Sequence, residues 1–89
     1  MRLRARVSGR VQGVGYRASV HRRISRLNVV GYVRNMPDGS VELDVQGEKA
    51  EVEKALKEAW EGSPFSAVES VETEELTEPS GYGSFVIER

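Results

Sequence analysis

Apolar and polar positions along the chain change period several times, and each change marks an element. Leu3, Ala5 and Val7 alternate with Arg2, Arg4 and Arg6, the period of a strand with one buried face. This strand is expected to end near Gly9. Tyr16, Val20, Ile24 and Leu27 then recur at helical spacing, which predicts a helix with one apolar stripe, stopped at Asn28 by a left-handed residue. Val29 to Asn35 is β-branched and aromatic, and Pro37-Asp38-Gly39 supplies the turn chemistry of a hairpin. Val41, Leu43 and Val45 alternate with Glu42, Asp44 and Gln46, a third strand that so short a turn must pair antiparallel with the second.

The period returns to helical from Glu48 to Glu61, where Val52, Ala55, Leu56, Ala59 and Trp60 share a stripe. Gly62-Ser63-Pro64 ends it, because glycine suits the C-cap and proline cannot continue the ladder. Val68 and Val71 are out of strand phase, so a bend or bulge is expected before a strand beginning near Ser70, and the glutamates of the stretch up to Leu76 suggest an exposed edge. Thr77 to Gly83 reads as loop, and Ser84 to Arg89 closes the chain with Phe85 and Ile87 on one face. The order β-α-β-β-α-β predicts an α+β, ferredoxin-like sandwich: an antiparallel sheet with both helices on one face. Tyr16, Val20, Ile24, Leu27, Val52, Leu56 and Trp60 should meet the inward strand residues.

Composition narrows the function. With 89 residues, 38% apolar and 30% charged, residues 1–89 are expected to form one domain with one core. The chain has no cysteine, which removes disulfides, thiolate nucleophiles and cysteine-ligated metals. No apolar run approaches a membrane span, and the N-terminus is no signal-peptide core, so a cytoplasmic location is expected. The net charge of −1 conceals an asymmetry: all fourteen acids lie at or beyond Asp38, and only arginines stand before it. A basic front half invites an anionic partner, nucleic acid or a small phosphorylated molecule. For most of these arginines the simpler reading is a solvated face balanced in space by the later acids.

Between the first strand and the first helix lies Gly9-Arg-Val-Gln-Gly-Val-Gly-Tyr-Arg17. Its glycines allow a tight turn whose N–H groups converge, the helix dipole aims at the same point, and an arginine fork matches phosphate oxygens. Gly13 to Ala18 satisfies G-x-G-x-x-G/A, yet the ribose-binding acid about 20 residues later is missing and the chain is too short for a doubly wound domain. The Walker A pattern also fails for want of Lys-Ser/Thr.

That nonapeptide, followed by Gly31-Tyr-Val-Arg-Asn35, Asp38-Gly39, Val45-Gln46-Gly47, Gly62-Ser-Pro64 and Phe85-Val-Ile87, resembles the acylphosphatase family across nearly the whole chain. The resemblance implies a hydrolase of small acyl phosphates that yields a carboxylate and inorganic phosphate, without cofactor. A monomer that binds no metal, nucleic acid or membrane is expected beside it. The resemblance maps catalysis onto Arg17 and Asn35. Arg17 and the N–H groups of Val11, Gln12, Gly13, Val14, Gly15 and Tyr16 would bind the phosphoryl group, and Asn35 would orient the attacking water. Ser40 matches a supporting Ser/Thr position, and a contact between the C-terminal carboxylate and Arg17 is a further implication.

Plainer readings stand beside these. Arg17 could be a solvated helix residue, Asn35 a turn-former, and Ser40 hairpin chemistry. His21, off the apolar stripe, reads as exposed, and Tyr32 and Trp60 as packing residues; no His, Asp and Glu cluster has metal-ligand spacing. An RNA-binding sheet of this topology is the alternative from another class, opposed by the absence of aromatics on the third strand, whose outward residues are Glu42, Asp44 and Gln46. A phosphate-sensing regulatory domain is the third reading.

Overall fold

The computed structural model describes residues 1–89. Seven elements follow the chain: β1 (Arg2–Arg10), α1 (Tyr16–Ile24), β2 (Val29–Asn35), β3 (Val41–Gly47), α2 (Lys49–Glu61), β4 (Ala67–Leu76) and β5 (Phe85–Ile87). The five strands form one sheet in the order β4-β1-β3-β2-β5. The expected ferredoxin-like arrangement is present, with the closing segment added as a fifth strand. β4, β1, β3 and β2 are antiparallel to their neighbours, whereas β5 runs parallel to β2, so the sheet is mixed and not purely antiparallel. Residues 77–84 cross from one sheet edge to the other at a single end, which reverses the chain relative to β4 and leaves β5 no direction but that of β2.

The period-two residues of β1 and β3 face each other in register, Ala5 opposite Leu43 and Val7 opposite Val41. They meet Val33 of β2, Tyr16, Val20 and Ile24 of α1, and Val52, Ala55 and Ala59 of α2 in one core cluster. Each fully buried Val, Leu or Ile there contributes about 1.5–3 kcal/mol relative to an exposed position.

Three expectations shift. α1 stops at Ile24: the N–H of Ser25 still bonds to His21, but Leu27 closes a tight turn onto the Ile24 carbonyl at 2.9 Å. Leu27 nevertheless packs against the core. Asn28 is not left-handed, since every positive φ belongs to glycine, and its N–H is instead capped by the Glu51 carboxylate at 3.0 Å. Trp60 is not core but 51% exposed, because the stripe of α2 that meets the sheet is centred on Val52, Ala55 and Ala59 and turns residue 60 outward. β4 starts at Ala67, three residues earlier than expected; the predicted bulge is present, with Ser8 opposite Ser70 and Gly9 opposite Val68, leaving Glu69 as the extra residue. β4 is an edge strand, as its glutamates suggest.

The sheet face turned away from the helices is closed by charge pairing. Asp44 is completely buried and holds Arg2 in a two-pronged pair at 3.0 and 2.9 Å, with Arg4 at 3.3 Å. Arg34 pairs with Glu42 at 2.9 Å, and its guanidinium lies 5.3 Å from the centre of the Tyr32 ring. Tyr82, from the crossing segment, packs on Tyr32 with ring centres 5.4 Å apart. Burial and the bond to Glu42 push the Tyr32 hydroxyl up to about 12. Much of the N-terminal excess of arginine is thus balanced by later acids in space.

Candidate active site

The loop joining β1 to α1 needs left-handed backbone twice, at Gly13 with φ 73° and at Gly15 with φ 76°. Only glycine adopts these angles without strain. Gly15 is the N-cap of α1, yet no side chain caps the helix and its first turn holds no acid. The leading N–H groups of α1 therefore carry the positive end of the helix dipole with no side-chain acceptor.

Neighbouring side chains decide how the loop peptides are turned. Ser63, just after α2, is buried and donates its hydroxyl to the Val14 carbonyl at 2.7 Å. Because the peptide is planar and trans, the Gly15 N–H points the opposite way. The Tyr16 ring lies in the core with its hydroxyl donated to the Ala59 carbonyl at 2.8 Å, and burial raises the pKa of that phenol well above its usual range. Arg23 pairs with Glu58 and donates to the Glu58 and Gly62 carbonyls. Two residues of α1 thereby satisfy the carbonyls at the C-terminal end of α2 and fix where α1, and the loop before it, must sit.

Arg17 and Asn35, eighteen positions apart, come to one place. A cavity of about 180 Å³ is lined by Val11, Gly13, Gly15, Tyr16, Arg17, Ala18 and Asn35. Larger hollows of about 320 Å³ near Met1 and about 420 Å³ beside Trp60 gather neither the loop nor Arg17. Arg17 has no carboxylate partner. Its one hydrogen bond runs to the Glu88 carbonyl at 3.4 Å, so the group that reaches it from the end of the chain is a main-chain carbonyl and not the terminal carboxylate. Glu88 is itself held, by its N–H on Val33 at 2.9 Å and by the Tyr82 hydroxyl on its carboxylate at 2.7 Å. Asn35 closes β2, and its Oδ1 is buried without a hydrogen-bond partner. A buried acceptor left unpaired costs about 1–3 kcal/mol, so it marks a place where a bonding group is expected to arrive.

One cavity thus gathers the glycine loop, a guanidinium without a carboxylate partner and an unpaired amide oxygen. The chain also matches known proteins. The family profile for acylphosphatase covers residues 3–87. The chain belongs to the acylphosphatase family. It is 48% identical over 83 residues to an acylphosphatase of Rubrobacter xylanophilus, covering 93% of this chain and 74% of that one. A crystal structure of the acylphosphatase of Bacillus subtilis superimposes with a TM-score of 0.93 at 33% identity, over 99% of this chain and 98% of the other. An acylphosphatase structure from Coxiella burnetii gives 0.89 at 36%, over 98% and 90%. Membership in the acylphosphatases implies hydrolysis of acyl phosphates.

Within this acylphosphatase fold the other candidate residues separate. Gln12 and Val14 do not line the cavity. The Ser40 hydroxyl and N–H are both donated to the Asp38 carboxylate, at 2.5 and 3.0 Å, away from the cavity. His21 is not simply exposed: its ring stacks on Phe85, and Nε2 lies 3.0 Å from the Phe85 carbonyl, tying α1 to β5. Sequence reasoning passed over Ala18, Ser63 and the side chain of Gln12. Ala18 was legible as the last position of the glycine pattern. Ser63 and Gln12 act across the fold on partners no local spacing reveals.

Proposed function

We propose that this chain hydrolyses the carboxyl–phosphate bond of small acyl phosphates without metal or cofactor, with Arg17 and the loop binding the phosphoryl group and Asn35 orienting the water. The observation that carries this reading is the single cavity shared by Gly13, Gly15, Arg17 and Asn35, with Asn35 Oδ1 unpartnered. The phosphoryl oxygens accept from the loop N–H groups and from the Arg17 fork, which concentrates positive charge where the transferring group carries its negative charge. A water donating to Asn35 Oδ1 presents its oxygen to phosphorus opposite the acyl oxygen. The new P–O bond forms as the bond to the acyl oxygen breaks, and the bonding pair leaves with the carboxylate. The water's protons pass to the phosphate product and solvent. A carboxylate whose conjugate acid has a pKa of about 4 leaves without protonation, so no general acid is required. Arginine and backbone dipoles take the part of charge stabilisation that a bound cation plays in other phosphoryl transfers.

The same proposal takes residues 1–89 as one unit acting as a monomer in the cytoplasm. It does not extend to nucleic acid, since the open sheet face is filled by Asp44, Glu42 and the arginines they hold. A phosphate sensor would use the same cradle but has no need of an unpaired amide acceptor beside it. Assaying the wild type and Asn35→Ala with a small acyl phosphate in the presence of a chelator separates the two. Hydrolysis by the variant is expected to fall on the order of 10²-fold, with inhibition by inorganic phosphate retained. Absence of phosphate release by the wild type would overturn the catalytic reading.

A further inference from the structure

The site is built from two segments that the chain does not hold together locally, the loop before α1 and the β2–β3 hairpin that carries Asn35. One side chain bridges them. Gln12 Nε2 donates to the Met36 carbonyl at 2.8 Å and to the Ser40 carbonyl at 2.9 Å. Met36 follows Asn35 directly, Ser40 precedes β3, and the two are already joined by Met36 N–H on Ser40 at 2.8 Å. Both protons of one amide therefore close the mouth of the hairpin, and both carbonyls would be left without this partner if the amide were removed.

We infer that Gln12 is a positioning residue of the reaction: its side chain sets the distance between the phosphate-binding loop and Asn35. This rests on the proposed function above. The rest of the surroundings supports a specific task for the bridge. Val14 is anchored by Ser63 and Tyr16 by Ala59, so the far half of the loop is fixed to α2. Gln12 is the side chain that fixes the near half to the hairpin, and Asn35 Oδ1 has no bond of its own to hold it there. Asp38 fixes the inside of the turn through Ser40, but it does not reach the loop. Loss of the Gln12 amide leaves Arg17 and the helix N–H groups in place while releasing the water-orienting group from its register with them.

The test is a double-mutant cycle with Gln12→Met, which keeps the length of the side chain and removes both donors. In the otherwise native chain kcat should fall on the order of 10- to 100-fold, the loss that a displacement of about 1 Å produces in a positioned reaction. The inhibition constant for inorganic phosphate should change less than about two-fold, because phosphate binding does not pass through Asn35. In an Asn35→Ala background, Gln12→Met should change kcat less than about two-fold, since the group it positions is already gone. An equal fall in both backgrounds overturns the inference, and so does an unchanged kcat in the first. Gln12→Glu supplies an independent readout if the methionine variant does not fold. Its carboxylate would face two carbonyls and repel them, but when protonated it donates one bond. Its kcat relative to the native chain should therefore rise as pH falls, and a flat ratio counts against the bridge. A native chain without hydrolytic activity refutes the proposed function itself and is told apart from these outcomes before any variant is made.

Discussion

The two ends of β1 use arginine in opposite ways. On the open sheet face Arg2 and Arg4 converge on Asp44, which is fully buried, and both guanidiniums are paired within the fold. Beyond the other end, past the loop, Arg17 meets no acid and touches only a carbonyl at 3.4 Å, beside a helix terminus that no side chain caps. The first region spends its charge on structure, and its energetics turn on pairing: a buried carboxylate is tolerable only because two guanidiniums surround it. The second leaves positive charge unpaired around a cavity, an arrangement that adds nothing to stability and is useful only when an anion enters. The contrast teaches that the arginine-rich N-terminal half is two systems, and that missing partners are as informative as present ones.

The largest test of this contrast is Arg17→Ala. Turnover of an acyl phosphate is expected to fall on the order of 10²- to 10³-fold, while folding stability stays within about 0.5 kcal/mol of the native chain, as for an unpaired surface group. A large loss of stability measured by denaturant titration would mean that Arg17 belongs to the structural system after all. Asp44→Ala should do the reverse. It strands Arg2 and Arg4, both of which keep some access to water, and is expected to lower stability by about 2–3 kcal/mol with kcat of the folded protein unchanged.

Ser63→Ala lies between the two regions, because its hydroxyl is structural in its own right yet sets the direction of a loop peptide. Freeing the Val14 carbonyl should cost about 1–2 kcal/mol and weaken inhibition by inorganic phosphate, which competition kinetics would detect; unaltered phosphate binding would show that the peptide keeps its direction without the serine. The smallest effect is one of pH. The Asp38 carboxyl is held below its ordinary value first by the Ser40 hydroxyl, then by the Ser40 N–H. A depressed carboxyl contributes stability that is present above its unfolded value and is lost as pH falls through its folded value, so the turn should loosen below about pH 4. Asp38→Asn should flatten that part of a stability-against-pH curve, and an identical curve would remove the turn from the acid response.

The elements were legible from period alone wherever one face was cleanly apolar. β3 falls on the residues the alternation marks with Gly47 added, β2 on its β-branched and aromatic run, and α2 on all but one of its expected residues. Period misled twice: Leu27, beyond the end of α1, keeps its helical phase because it packs on the same core from a turn, and Trp60, within α2, sits at the margin of the stripe without reaching the sheet. It was silent on the direction of β5, since alternation says which face a residue takes and nothing about its neighbour.

The site divides along the same line. That a glycine-rich turn should precede a helix, that Gly13 and Gly15 should take conformations other residues avoid, and that Arg17 should follow them were properties of the local chain, because φ preferences and helix starts are decided within a few residues. The approach of Asn35 to Arg17, the anchoring of Val14 by Ser63 and the two hydrogen bonds of Gln12 to the hairpin join positions 18 to 49 residues apart. Such contacts depend on how the sheet orders its strands and where α2 sets the end of its last turn. The sequence by itself determined the parts and their conformations; only the tertiary structure decided which of them share a cavity, because the energy that brings them together lies in the core beneath them and not in the site.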